Sequence, residues 1–238
     1  MSDTLKSIIF ALVLCVVCSL LLTLASSGLK DYQQRNVRLD RHKNLLKAVG
    51  LIEQGRQYAT AEVESLYAEK IKMIWVQPDG AVVEQAQRTQ KDLQLYLYME
   101  DGELQAFIIP IDTRGLWGKI YGYMAIEKDG STISGFTVYQ HGETPGLGGE
   151  IEKRWFQENF VGKRIVDHGG NFVSISIARG KVKDRVRPGL QINYVDGISG
   201  ATLTGKYLTA GFKDILSVYE PVSVKFRKNR QKTVISDQ

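Results

Sequence analysis

With 238 residues and 43% apolar content, the chain can bury one sizeable core together with a membrane segment, but is too short for two large domains. Its net charge of +5 is concentrated at the end: in "VSVKFRKNRQKTVISDQ", Lys225, Arg227, Lys228, Arg230 and Lys232 face Asp237 alone. The rest of the chain is close to neutral, which removes the electrostatic footprint that nucleic-acid binding needs.

The first element is the stretch from Ser7 to Leu29, "SIIFALVLCVVCSLLLTLASSGL", which carries no charge and is long enough to span a bilayer as a helix. A cleaved signal peptide is the rival, but its apolar region is normally only about 7 to 15 residues, so a retained anchor is expected. Cys15 and Cys18 lie inside this stretch without a His or carboxylate nearby and read as small apolar helix residues. The remainder has no cysteine, hence no disulfide or thiol chemistry, and no metal-ligand spacing. Lys30, Arg35, Arg38, Arg41, Lys43 and Lys47 follow the anchor, so loop charge by itself points the following domain toward the cytoplasm.

From Lys30 the sequence is rich in helix formers up to Gly50, a helical stalk. Next, "TAEVESLYAEKIKMIWV" places Val63, Leu66, Tyr67, Ile71 and Ile74 at helical spacing and predicts one amphipathic helix opened by Thr60. Alternating runs on either side of Asp101-Gly102 and of Asp129-Gly130 predict two antiparallel hairpins. "NFVSISIARG" and "GLQINYV" add short strands, with a short helix in "EKRWFQENFVG" before them. The expected fold class is α+β: a single N-terminal transmembrane helix, then a domain with a mostly antiparallel sheet and flanking helices. The divisions are an anchor at 1–29, a stalk and linker at 30–58, the folded domain at 59–220 and a basic tail at 221–238, read as disordered.

Two segments fit neither strand nor helix. "HGETPGLGGE", 141 to 150, has four glycines and a proline and reads as a loop whose backbone can approach a ligand, or as a plain hairpin connection. "DGISGATLTG", 196 to 205, ends a strand and leads into the helix "ATLTGKYLTAGFKDILSVY", in which Leu203, Tyr207, Leu208, Phe212, Ile215 and Leu216 share a face. Ser199 or Thr202 could cap that helix. The same turn could instead hold a phosphate on free N–H groups, and a hydroxyl there could be esterified by it. Physics alone does not separate Thr202 from Thr204, nor the cap from the phosphate site. There is no acid-base pair, no nucleophile with a positioned histidine and no dinucleotide fingerprint, so no catalytic residue is assigned.

The stretch Asp196-Gly197-Ile198-Ser199-Gly200-Ala201-Thr202 resembles the flavinylation motif of the FMN-binding domain family. "GLWGKIYGYMAI" and "HGETPGLGGEIE" resemble, within it, the NqrC family of the sodium-translocating NADH:quinone reductases. The resemblance implies a covalent FMN joined through its phosphate to Thr202, attached by a separate flavin transferase that uses FAD. It implies that Ser199, Gly200, Ala201, Leu203 and Thr204 surround the phosphate and ribityl chain. Glu143, Thr144, Pro145, Gly146, Leu147 and Gly148 would contact the flavin from the facing loop, and Asp196 and Gly197 would begin the transferase recognition motif. Trp117, Tyr121 or Tyr123 is a candidate ring partner, and His141 reads as structural. By the same resemblance, the chain is an electron-transfer member of a membrane complex with NqrA, NqrB, NqrD, NqrE and NqrF, acting between NADH and ubiquinone with sodium export. Its flavin domain would be periplasmic on a bacterial inner membrane, against the charge count. The RnfG family of Rnf-type ferredoxin:NAD oxidoreductases shares the SGAT and ETPGLG elements, and a membrane-anchored phosphate-binding module without redox function is the rival from another class.

Overall fold

The computed structural model describes residues 2–236. It divides into two units, with the boundary between Asp40 and Arg41. In the first, helix α1 (Asp3–Ala48) begins, and within it lies the one span among the described residues long and apolar enough to cross a membrane, with none of that window buried. The helix continues without interruption as far as Ala48, and Gly50 follows with φ of 75°, a left-handed conformation suited to a helix end.

The second unit is built on a six-stranded antiparallel sheet of order β2-β1-β3-β4-β5-β6, with β1 at Ile71–Val76, β2 at Val82–Val83, β3 at Leu93–Glu100, β4 at Glu103–Arg114, β5 at Lys119–Glu127 and β6 at Ile133–Gln140. Both Asp-Gly hairpins are present. Asp101 and Gly102 have φ of 50° and 80°, the paired positive values that a two-residue turn needs to follow the strand twist. The α+β class expected from the sequence is the one observed.

The sheet has two covered faces because its strands alternate. Phe107, Ile109 and Ile111 of β4 join Ile120, Met124 and Ile126 of β5 in the main core, beneath helix α5 (Thr202–Ser236) with Leu208, Phe212, Leu216, Tyr219 and Val222. Tyr219 donates its hydroxyl to Gln94 O at 2.8 Å, pinning the helix to β3. On the opposite face the end of α1 packs against β6, where the Thr137 hydroxyl donates to Asn44 O at 3.2 Å. Tyr96, Tyr123 and Tyr139 cluster there beneath Arg41, and burial pushes Tyr96 up to about 12 and raises Tyr123 further.

Three expectations are corrected. The helix expected over "TAEVESLYAEKIKMIWV" stops early: α2 is Thr60–Lys70, and Ile71 and Ile74 belong to β1, paired with Tyr98 and Leu95. The run "IKMIWV" is β-branched and aromatic, and a neighbouring strand outweighs the helical spacing. The shared face of α5 is also shifted, since Leu203 is 51% and Tyr207 39% exposed while Leu208, Phe212 and Leu216 are buried. Finally, α5 continues through Pro221 into the basic tail. Val222 is buried and Phe226 stacks on Phe107 at 4.6 Å, so tertiary packing offsets the intrahelical bond that proline removes. Asp237 and Gln238, the end of that tail, lie outside the described residues.

Beyond β6 the chain is held by short elements: α3 (Arg154–Glu158), β7 (Ser176–Ile177), α4 (Val182–Arg185) and β8 (Tyr194–Val195). β7 and β8 pair in parallel, and the Ile177 amide donates to the Thr209 hydroxyl of α5 at 2.9 Å, so the turn that leads from β8 into α5 is held against β7.

Candidate functional site

Three segments meet at the N-terminal end of α5: the turn between β4 and β5, the glycine-rich loop after β6, and the turn after β8. They enclose a pocket of about 320 Å³ lined by Leu116, Trp117, Glu143, Thr144, Leu147, Gly148 and residues 200–204. Its apolar side chains are unusually free, with Trp117 at 71%, Leu203 at 51% and Leu147 at 43% exposure. Exposed apolar groups gathered in a concave site mark a place where a ligand removes them from water.

Glu143 braces this pocket. Its side chain is buried, Oε1 accepts the Trp117 amide at 3.0 Å, and Oε2 accepts the Thr204 hydroxyl at 2.5 Å. Two glycines make room for the carboxylate. A Cβ on Gly148 would lie 2.6 Å from both Glu143 Oε2 and Thr204 Oγ1, and one on Gly115 would lie 2.5 Å from Glu143 Oε1. His141 holds the other end of the loop. Its Nδ1 accepts the Glu143 amide at 3.1 Å, which leaves Nε2 to donate to Glu152 at 3.3 Å, a structural role.

The two threonines of the last turn differ. Thr204 is 2% exposed and its hydroxyl is committed to Glu143. Thr202 is exposed, is the first residue of α5, and makes no side-chain hydrogen bond among the described residues. Neither Ser199 nor Thr202 caps the helix. The residue before it is Ala201, whose carbonyl accepts the first helical bond from Gly205 at 3.0 Å and whose side chain has no oxygen to offer the N–H groups of 202 to 204. An uncapped helix start beside a free hydroxyl fits a phosphate, and the exposed apolar walls fit a flat ring system, so these residues suit FMN.

Glu143, Thr144, Leu147 and Gly148 of the expected loop residues line the pocket, as do Gly200, Ala201, Thr202, Leu203 and Thr204. Pro145, Gly146 and Ser199 do not. Trp117 is the one candidate ring on the pocket wall, because Tyr121 and Tyr123 pack with Tyr139 instead. Leu116 escaped sequence reasoning; its signal was the Gly115 and Gly118 pair that closes a tight turn, Gly115 N to Gly118 O at 2.6 Å. Asp196 and Gly197 lie away from the pocket. The Asp196 carboxylate accepts the Lys181 ammonium and the Val182 amide, each at 2.7 Å, and so anchors α4.

A family profile described as FMN-binding domain matches residues 115–217, the segment that supplies every wall of this pocket. NqrC of Yersinia pestis, a component of its Na(+)-translocating NADH-quinone reductase, is 33% identical over 237 residues, covering 87% of this chain and 86% of that protein. The chain belongs to the NqrC family. The Pseudomonas aeruginosa member is 31% identical, covering 86% of this chain and 88% of its own length. The crystal structure of the NqrC protein from Parabacteroides distasonis superposes with a TM-score of 0.69 at 30% identity, covering 82% of this chain and 96% of that one. Shewanella oneidensis NqrC gives 0.62 at 25%, covering 85% and 99%. The NqrC fold therefore extends over most of the chain.

Proposed function

We propose that this chain is the FMN-carrying electron-transfer subunit of a Na+-translocating NADH:ubiquinone reductase, with FMN held covalently by a phosphoester to Thr202. The observation that carries the reading is the contrast between the two threonines: only Thr202 offers a free, exposed hydroxyl at an uncapped helix start. Bound FMN supplies a redox centre that takes up and releases electrons one or two at a time. The chain's own part is positional. The α5 N–H groups of 202 to 204 receive the anionic end, while Leu116, Trp117, Leu147 and Leu203 shield the ring system from water. Glu143 and Thr204 fix the distance between the two walls.

The partners are NqrA, NqrB, NqrD, NqrE and NqrF, with electrons entering from NADH and leaving to ubiquinone, and a flavin transferase during maturation. The one membrane-span candidate among the described residues carries no charge from Ser7 to Leu29 and offers no path for an ion, so sodium export belongs to the complex. The flavin domain lies on the periplasmic side of a bacterial inner membrane.

Denaturing gel electrophoresis of the chain made in cells containing the transferase tests the attachment: the wild-type band fluoresces yellow-green and the Thr202→Ala band is dark. A dark wild-type band, or a fluorescent variant, refutes it. An alkaline phosphatase fusion after Gln238 is active if the domain is periplasmic; an inactive fusion with an active cytoplasmic reporter excludes that side.

A further inference from the structure

Thr202 borders two cavities. Besides the apolar pocket, it forms part of the wall of a larger groove of about 820 Å³ between β7, the 178–190 segment and α5. Thr202, Gly205, Lys206 and Thr209 line it from one face of α5, as helical spacing requires. Arg179, Arg185, Arg187 and Lys206 also line this groove, and no carboxylate does. Among the described residues, none of these four cations is in an ion pair. Clustered like charges raise the local potential, and a matching anion from outside relieves their repulsion.

A phosphodiester on Thr202 carries a single negative charge and leaves most of this positive charge unbalanced. The chemistry of its formation identifies a second anion. Condensing a phosphate with a threonine hydroxyl in water is uphill, so the donor must be an activated phosphoanhydride. In the transfer, the bond from Thr202 Oγ1 to phosphorus forms and the P–O bond to the bridging oxygen of the donor breaks. The hydroxyl proton passes to the transferase or solvent, the bridging oxygen leaves on the second phosphate, and no group changes oxidation state. With FAD as that donor, as the family resemblance implies, the half that leaves on the second phosphate is AMP, released beside Thr202.

We propose that the basic groove is an anion site for that departing half, a nucleoside monophosphate, whose phosphate pairs with the arginines and Lys206 while Leu190 and Tyr194 offer its base an apolar wall. The volume lies within the range of small-molecule sites, about 300 to 1,000 Å³. The proposal rests on Thr202 being the attachment residue.

Calorimetry with the full chain in detergent, using AMP and inorganic phosphate as probes, tests the groove, and the rate of flavin attachment with transferase and donor tests its role. AMP is expected to bind more tightly than phosphate. Arg185→Gln with Arg187→Gln should weaken AMP binding by roughly tenfold or more, and slow attachment in parallel, while lysine at both positions retains most of each. If the glutamine pair does not fold, Lys206→Met at an exposed position serves in its place. The proposal is overturned if AMP binds no better than phosphate, if an acidic peptide binds where AMP does not, or if the variants leave binding and attachment rate unchanged while wild type is still flavinylated at Thr202. Covalent fluorescence surviving in Thr202→Ala removes the attachment reading itself, and with it the leaving-group role, whatever AMP does.

Discussion

Thr204 donates its hydroxyl to Glu143 Oε2 at 2.5 Å across 61 positions of sequence, joining the start of α5 to the loop after β6. The other oxygen of the same carboxylate holds the Trp117 amide, so one side chain ties together three segments that share no secondary structure. The pocket is therefore framed by an internal brace, and Thr202, two residues before Thr204, is left without a partner among the described residues.

That difference makes the two threonines separable by experiment. Thr204→Val keeps the shape but strands a buried carboxylate oxygen, at a cost of about 1 to 3 kcal/mol, visible as a lower denaturant midpoint, and the denatured band keeps its fluorescence. Thr202→Val alters an exposed hydroxyl, shifts stability by less than about 0.5 kcal/mol, and gives a dark band. The reverse pattern would move the proposed attachment from Thr202 to Thr204.

The brace predicts a glycine requirement. Gly148→Ala places a methyl group 2.6 Å from both ends of the Glu143 to Thr204 hydrogen bond and should cost about 1 to 3 kcal/mol. Gly142→Ala, in the same loop with open space around the new methyl, should be neutral in the same thermal unfolding assay. Equal effects at the two positions would mean that the loop is not held through Glu143.

Asp196 should respond to acid. Burial works to raise its carboxyl, but the Lys181 ammonium and the Val182 amide outweigh this and hold it below the ordinary aspartate value. A folded value below the unfolded one contributes stability that is present above about pH 3.9 and is lost as pH falls through the folded value. In denaturation measured from pH 6 downward, Asp196→Asn should be less stable than wild type by a constant margin until about pH 4, then converge with it. A margin that does not close in acid would show that the carboxylate is not held in its charged form.

Glu220 behaves oppositely. Burial raises its carboxyl, and the ion pair with Arg227 counters that rise without cancelling it. A raised folded value contributes stability fully present below the unfolded pKa and lost as pH rises through the folded one. Arg227→Met removes the counter-charge and the bond to Gly130 O, so it should cost about 1 to 3 kcal/mol at neutral pH and less near pH 4. A loss of stability that does not vary with pH would assign the effect to packing and the Gly130 bond, with no part for the Glu220 charge.

Much of this molecule was legible because its signals are local. The Asp-Gly pairs carry their turn geometry in two residues, and the apolar span carries its own length. The same locality misplaced Ile71 and Ile74, whose spacing suits a helix but whose backbone groups are taken up by β3. It also stopped α5 too early, because a proline in a basic stretch gives no hint that Phe226 stacks on Phe107.

At the site the division is sharper. The sequence by itself pointed to two of the three segments that line the pocket, the 141–150 loop and the 196–205 turn, since their glycine and hydroxyl content is a near-neighbour property, and it passed over Leu116 in the third. Only the tertiary structure decided that Thr204 turns inward and Thr202 outward, that Glu143 braces the walls, and that Arg179, Arg185, Arg187 and Lys206 share one groove. Each depends on contacts between segments far apart in the chain, where helix, loop and strand are brought to one place by burial of a common core.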